Sequence, residues 1–127
     1  MNQIVNIGVD IIEINRIKES INKFGSKFLE KIFTDNEIKY CKSKKRCEES
    51  FAVRFCAKES IMKIFKTGWA KGINWRDIEI LNDKNGQPKI KLYNKALEFK
   101  KKLKIKKFLV SLSHSNVSAI AFVLAIK

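Results

Sequence analysis

Residues 51–66, FAVRFCAKESIMKIFK, are apolar on nearly every side yet carry four ionisable side chains in their interior: Arg54, Lys58, Glu59 and Lys63. At about 3.6 residues per turn, Phe51, Phe55 and Met62 share one face and Val53, Ala57 and Ile64 the opposite one. The spacing predicts a helix packed on at least two sides, with its charges in crevices. Arg54 and Lys58 stand four residues apart, as do Glu59 and Lys63, so one ridge offers two cations and another a carboxylate with an amine. Such an arrangement is either a grip for phosphate and metal or a set of solvated ion pairs worth about 0.3–0.5 kcal/mol each.

Toward the N-terminus, residues 4–12, IVNIGVDII, alternate as a strand does, with Val5, Ile7, Val9 and Ile11 on one face and Asn6, Gly8, Asp10 and Ile12 on the other. Gly8 lets a second backbone or a ligand come close, and Asp10 lies on the same side near the strand end. That carboxylate either caps the next helix or binds a ligand or metal. Asn15 to Phe24 reads as a helix stopped by Gly25. Ser26 to Phe33 reads as a short second helix with Phe28, Leu29, Ile32 and Phe33 inward, and Arg16, Lys23 and Lys27 decorate the pair. Thr34 with Glu37 forms a capping box that starts a helix running to about Lys42, and the polar run Ser43 to Ser50 is expected to be a loop leading into the central helix.

Beyond the central helix, Thr67, Gly68 and Gly72 break the pattern, and Trp69 to Arg76 is expected to be loop with two aromatic anchors. Asp77 to Leu81 and Lys89 to Tyr93 are predicted to pair antiparallel across Asp83-Lys84-Asn85-Gly86, with Pro88 at a first, unpaired strand position. Asn94 to Lys104 reads as a helix burying Ala96, Leu97 and Leu103, with Lys100, Lys101 and Lys102 toward solvent. The last two strands, Phe108 to Ser113 and Ser118 to Ile126, are joined by the short link His114-Ser115-Asn116-Val117 and must be antiparallel. The lone His114 is a surface turn residue or a phosphate contact. The fold class expected is α+β, a mainly antiparallel sheet with helices packed around a central buried helix.

The chain has 127 residues, 45% of them hydrophobic, with one Pro, no repeat and no low-complexity segment, which suits one domain over residues 1–127. Its 27 basic against 13 acidic residues leave +14, favouring an anionic partner, although only four of the cations are Arg and a coding bias toward Lys explains the excess equally well. Cys41, Cys47 and Cys56 are odd in number and lack CxxC spacing, which argues against a disulfide framework or a zinc site. There is no basic segment ahead of an apolar leader and no run long enough to span a membrane, so a cytoplasmic protein without membrane contact is expected.

A carboxylate on the first strand, another on the buried helix and several cations make sense together if they hold a diphosphate through a divalent metal. Magnesium takes one or two carboxylates plus waters and phosphate oxygens, which Asp10 and Glu59 suffice to supply. The blocks IGVDIIEINRI, FTDNEIKYC, RFCAKESIMKIF, DIEI followed by NGQP, and SLSHS occur in this order over nearly the whole chain. With them the chain resembles holo-acyl carrier protein synthases, the short type of 4′-phosphopantetheinyl transferase.

The resemblance implies magnesium-dependent transfer of 4′-phosphopantetheine from coenzyme A to a serine of an acyl carrier protein, within fatty acid biosynthesis. It assigns Asp10 and Glu59 to the metal. It makes Lys63 a phosphate-neutralising cation or a base for the serine proton, with a metal-bound water positioned by Glu59 as the rival base. It places Arg54, Lys58, Gly86, Pro88 and His114 at coenzyme A, and Arg16, with Lys23 and Lys27, at the acidic carrier protein. It further implies a homotrimer with active sites between subunits. Cys56 and Ser60 stand where the family often has Ala, and Lys66 where Gly is frequent. The rival reading is a small basic RNA-binding module, motivated by the charge, Trp69, Trp75 and the lysine run. Its weakness is that the strands carry Ile, Val and Leu where stacking aromatics are needed.

Overall fold

The 51–66 stretch forms the greater part of a longer helix, α4 (Cys47–Phe65), in a computed structural model that describes residues 3–66 and 72–127. Before it come β1 (Ile4–Glu13), α1 (Ile14–Phe24), α2 (Ser26–Ile32) and α3 (Asp35–Lys42). After it come β2 (Ile78–Asn82), β3 (Pro88–Leu92), α5 (Asn94–Lys102), β4 (Lys107–His114) and β5 (Ser118–Ile126). The architecture is α+β, with an antiparallel three-stranded sheet in the order β1-β5-β4 and a separate antiparallel hairpin, β2-β3. Thr67 and Trp69 lie outside the described residues, as does Gly68.

The elements expected from the sequence are present, and their boundaries differ for local reasons. Helix α4 begins within the run expected to be loop, because Glu48 and Glu49 occupy its first turn, where carboxylates favour the positive end of the helix dipole. It closes on Lys66 in the left-handed region (φ 61°), a conformation that costs Gly least, and the Lys66 N–H reaches the carbonyls of Met62 and Lys63. The capping box forms as expected, with the Thr34 hydroxyl accepting from the Glu37 N–H and the Glu37 carboxylate accepting from the Thr34 N–H. Trp75 opens a short 3-10 turn, Trp75–Asp77, at the end of the segment expected to be loop. His114 ends β4, paired with Ala119, which leaves only Ser115 to Val117 in the turn.

Packing of α4 on the sheet is set by small residues. On the inner face Gly8 pairs with Val123, Asp10 with Ala121 and Ile12 with Ala119, and β5 contributes the fully buried Ala119, Ala121, Val123 and Ala125. A Cβ built on Gly8 would lie 2.0 Å from the Ser60 carbonyl oxygen, so helix and strand touch backbone to backbone. The Ser60 hydroxyl completes this seam, lying 2.8 Å from the Cys56 carbonyl and 3.1 Å from that of Ala121, both of which can accept from it. The β1 alternation holds from Asn6 onward. Val5 departs from it, because the register shifts between Ile4 and Asn6 and Val5 packs against the core.

The opposite face of the same sheet is apolar and open. Ile7, Val9, Ile11, Leu109, Ile120 and Phe122 are each between 39% and 64% exposed.

Gly8→Ala forces the strand off the helix and is expected to cost at least about 3 kcal/mol in denaturant unfolding, well above the effect of an ordinary surface substitution.

Candidate active site

Along α4 almost every residue from Phe51 to Phe65 is buried. The exceptions are Phe55, Glu59 and Lys63, spaced by four on one stripe. This stripe crosses β1 where the inner face presents Asp10. The Lys63 Nζ donates to the Val9 carbonyl at 2.7 Å and to Asp10 Oδ1 at 3.1 Å, with the Asp10 side chain 20% and that of Lys63 53% exposed. Beneath them lies Cys56, fully buried, whose thiol donates to the Ala119 carbonyl at 3.5 Å and feels the charges of Asp10, Glu59 and Lys63. Burial, reinforced by Asp10, pushes the Cys56 thiol up to about 12, so it is no nucleophile at neutral pH. Asp10 on the strand and Glu59 on the helix thus both lie near enough to act on the one thiol between them. Among the described residues no three His, Cys, Asp or Glu side chains form a metal cage. A carboxylate pair of hard oxygens open to solvent instead fits magnesium, which keeps several of its waters.

Two basic concavities lie on other sides of α4. A groove of about 820 Å³ runs between the hairpin and β4, lined by Arg54, Gly86, Pro88, Lys89, Lys100 and Lys107 among others. The Arg54 guanidinium, 3% exposed, stacks on Tyr40 at 4.4 Å. It donates to the Ser50 carbonyl at 3.1 Å and to Asn82 Oδ1. A second pocket, of about 460 Å³, holds His114 with Lys44, Lys45 and Arg46. Those three cations were not singled out from the sequence, although the basic run at 44–46 was the available signal. Gly86 takes φ +80° at the hairpin turn, and the Asp83 carboxylate accepts from the N–H groups of Asn85 and Gln87 to hold that loop. A third pocket, of about 380 Å³ on α1, combines Arg16 and Lys23 with Ile12, Phe24, Phe28 and Phe55, while Lys27 is exposed on α2.

Lys58, expected at a phosphate, is fully buried, and its amine donates to Glu37 Oε1 at 2.7 Å, to the Ile32 carbonyl at 2.8 Å and to the Trp75 carbonyl at 3.2 Å. All three of its donors are used, so none remains for a ligand. Burial pulls its pKa down, and the Glu37 carboxylate opposes that pull. Glu37 also accepts from the Ile80 N–H at 2.9 Å, tying α3 and α4 to β2. Beside it Glu79 accepts from Tyr93 Oη at 2.7 Å, from Asn36 at 3.3 Å and from the Thr34 hydroxyl. Burial alone would raise Glu79, but these hydrogen bonds and the Lys58 charge hold it below the usual carboxylate range. The phenol of Tyr93, donating to Glu79, is pushed up to about 12.

Carboxylates open to solvent beside an amine, with basic pockets nearby, make a site suited to phosphorylated substrates. Residues 6–122 match the model of the 4′-phosphopantetheinyl transferase superfamily. The holo-[acyl-carrier-protein] synthase of Ruminiclostridium cellulolyticum is 47% identical over 91% of this chain and 87% of that protein. Among solved structures, the holo-[acyl-carrier-protein] synthase of Neisseria meningitidis superposes with a TM-score of 0.86 at 31% identity, covering 97% of this chain and 98% of that one. The Helicobacter pylori synthase in complex with coenzyme A gives 0.83 at 33% identity, over 94% and 99%. The chain belongs to the 4′-phosphopantetheinyl transferase superfamily. The RNA-binding alternative loses its ground, since Trp75 is already stacked on Phe55 at 5.0 Å.

Glu37→Ala strands the Lys58 ammonium in the core and is expected to cost about 3–5 kcal/mol, with part of the loss recovered in the Glu37→Gln, Lys58→Met pair, as urea unfolding would show. The Glu79 pKa is depressed on folding, so its contribution is present above the unfolded carboxylate pKa and is lost as pH falls through the folded value. Glu79→Gln should therefore lose less stability than the parent between about pH 5 and pH 3, a difference that equal slopes over that range would refute.

Proposed function

We infer that this chain transfers the 4′-phosphopantetheine group of coenzyme A to a serine hydroxyl of an apo acyl carrier protein, releasing adenosine 3′,5′-bisphosphate. The observation that carries this reading is the single open stripe of α4, where Glu59 and Lys63 meet Asp10 on β1, in a chain of this family. Asp10 and Glu59 are the residues that would hold magnesium. When bound there, the ion neutralises the diphosphate and stabilises the leaving bisphosphate. Lys63, one turn beyond Glu59 and more than half exposed, offsets further phosphate charge. Transfer is then a matter of orienting a diphosphate against a serine and stabilising charge, which needs no protein nucleophile.

Arg54, Gly86 and Pro88 in the larger groove, and His114 with Lys44 and Arg46 in the smaller pocket, are the cofactor-facing set. An Arg presents a planar fork to phosphate whereas Lys acts as a point charge, so Arg54→Lys is not a neutral change. Lys58 drops out of this set. Arg16 and Lys23, on a pocket with an apolar floor, together with the exposed Lys27, form the surface for an acidic carrier protein. The same pocket includes Phe55, at the head of the stripe that carries Glu59 and Lys63, so a docked carrier protein lies beside the chemistry.

The open apolar face of the three-stranded sheet supports a homotrimer, because so many adjacent Ile, Val, Leu and Phe side chains are an interface in waiting. The catalytic stripe and the basic grooves lie on different sides of α4, and this supports active sites completed between subunits. The family match over 6–122 supports one domain for residues 1–127. Among the described residues no helix is long and apolar enough to cross a membrane. The free thiols Cys41, Cys47 and Cys56 and the nature of the substrates support a cytoplasmic setting.

The test is intact-mass analysis of an apo acyl carrier protein incubated with coenzyme A and this protein, with magnesium and again with chelator. A phosphopantetheine-sized gain is expected only with magnesium. Asp10→Ala and Glu59→Ala should each lower the rate by about a hundredfold or more at saturating magnesium, with unchanged thermal unfolding. Full activity in either variant would remove the metal assignment.

A further inference from the structure

We propose that Lys63 and the divalent cation compete for the Asp10 carboxylate, so that loading the metal and releasing Lys63 toward the substrate are one event. This rests on the reading of Asp10 and Glu59 as the metal ligands.

The geometry sets up the competition. The Lys63 ammonium donates to Asp10 Oδ1 at 3.1 Å and to the Val9 carbonyl, next to it in β1, at 2.7 Å, so the amine is parked against the strand. On the inner side lies the buried Cys56, close enough for Asp10 to act on its thiol, which itself donates to the Ala119 carbonyl at 3.5 Å. Lys63 covers Oδ1 from the solvent side, and the Asp10 side chain is left only 20% exposed. A doubly charged cation bound to this carboxylate would be repelled by an ammonium left in place, twice as strongly as a singly charged one at the same distance. Holding the amine is worth far less. An ion pair with one partner 53% exposed is largely screened by water and only weakly stabilising. Lys63 is therefore the partner that moves, and its long flexible stem, anchored only at α4, leaves it free to swing outward along the stripe. Glu59 lies one turn back on the same stripe.

The consequence is an ordering built into the site. While Lys63 donates to Val9 and Asp10 it is a structural cation. Once displaced it is available to phosphate. Lys58, five residues earlier on the same helix and sealed by three acceptors, has no such freedom.

Amine acetylation of the unmodified protein, read by peptide mass spectrometry without and with saturating Mg²⁺, reports the displacement directly, with the other lysines as internal controls. Labelling of Lys63 is expected to rise two- to fivefold with Mg²⁺ while the controls stay level. Mn²⁺ binding followed by electron paramagnetic resonance supplies the reciprocal arm. Lys63→Met should bind Mn²⁺ about three- to tenfold more tightly than the parent, and Lys66→Asn, which removes a nearby charge without touching Asp10, less than twofold more tightly. Mn²⁺ binding by the parent with Lys63 labelling unchanged or lowered overturns the competition and leaves the metal ligands standing. Absence of Mn²⁺ binding in both the parent and Lys63→Met removes the metal assignment and the competition together.

Discussion

The backbone contact between Gly8 and Ser60 is the constraint on which the rest of this molecule depends. A helix normally rides on a sheet at the distance its side chains dictate, but here the strand offers Gly and the neighbouring strand Ala119, Ala121 and Ala125, so α4 sinks until it meets β1. Only at that distance do residues two positions along the strand and one turn along the helix share a site. Asp10 reaches the amine of Lys63 because Gly8 lacks a side chain. The site is therefore a product of close packing, and the backbone that carries it is held by the core beneath, while the exposed Lys63 side chain keeps its freedom.

A second constraint fixes α4 in the other directions. Lys58 sends its ammonium away from the sheet into a buried polar knot, where Glu37 serves at once as N-terminal capping residue of α3, counterion of α4 and acceptor for β2. A buried ion pair is poor value as stabilisation, because desolvation offsets most of the Coulomb gain. Its directional contacts hold the register of three elements that apolar packing alone would let slide. The Glu79, Tyr93, Asn36 and Thr34 contacts extend the same knot to the far end of the hairpin. The hairpin in turn carries Gly86 and Pro88, so the basic groove inherits its shape from this network.

Much of this was legible in the sequence, and the parts that were not have physical causes. Alternation in β1 and the capping box at Thr34 are local patterns, and both appear in the fold as expected except that the register shift at Val5 turns that residue to the core. The all-round apolarity of 51–66 correctly marked a buried helix. What spacing could not distinguish was the fate of its charges. Lys58 and Lys63 are both lysines next to or near an acid on one helix, yet one is sealed and the other open. The difference lies in Glu37, which sits 21 residues away and is brought there only by the fold. Likewise the start of α4 was misplaced because a polar run looks like a loop unless the dipole preference of Glu48 and Glu49 is weighed above composition. The aromatic and aliphatic floor around Arg16 and Lys23 was invisible because it draws on β1, α1, α2 and α4 together.

The two faces of β1 show how tightly the proposed assembly and the chemistry are bound to one another. Gly8 and Asp10 face the helix, and the residues between and beside them, Ile7, Val9 and Ile11, face outward onto the surface assigned to other subunits. Because a strand alternates with a period of two, a slip of one residue would put Asp10 into the apolar interface and Val9 against Ser60. Both outcomes are costly, the first by burying a carboxylate without a partner and the second by forcing a branched side chain into the space that Gly8 leaves. A single register thus satisfies both faces, so the strand that carries Asp10 toward the helix also presents the apolar outer surface proposed for self-association.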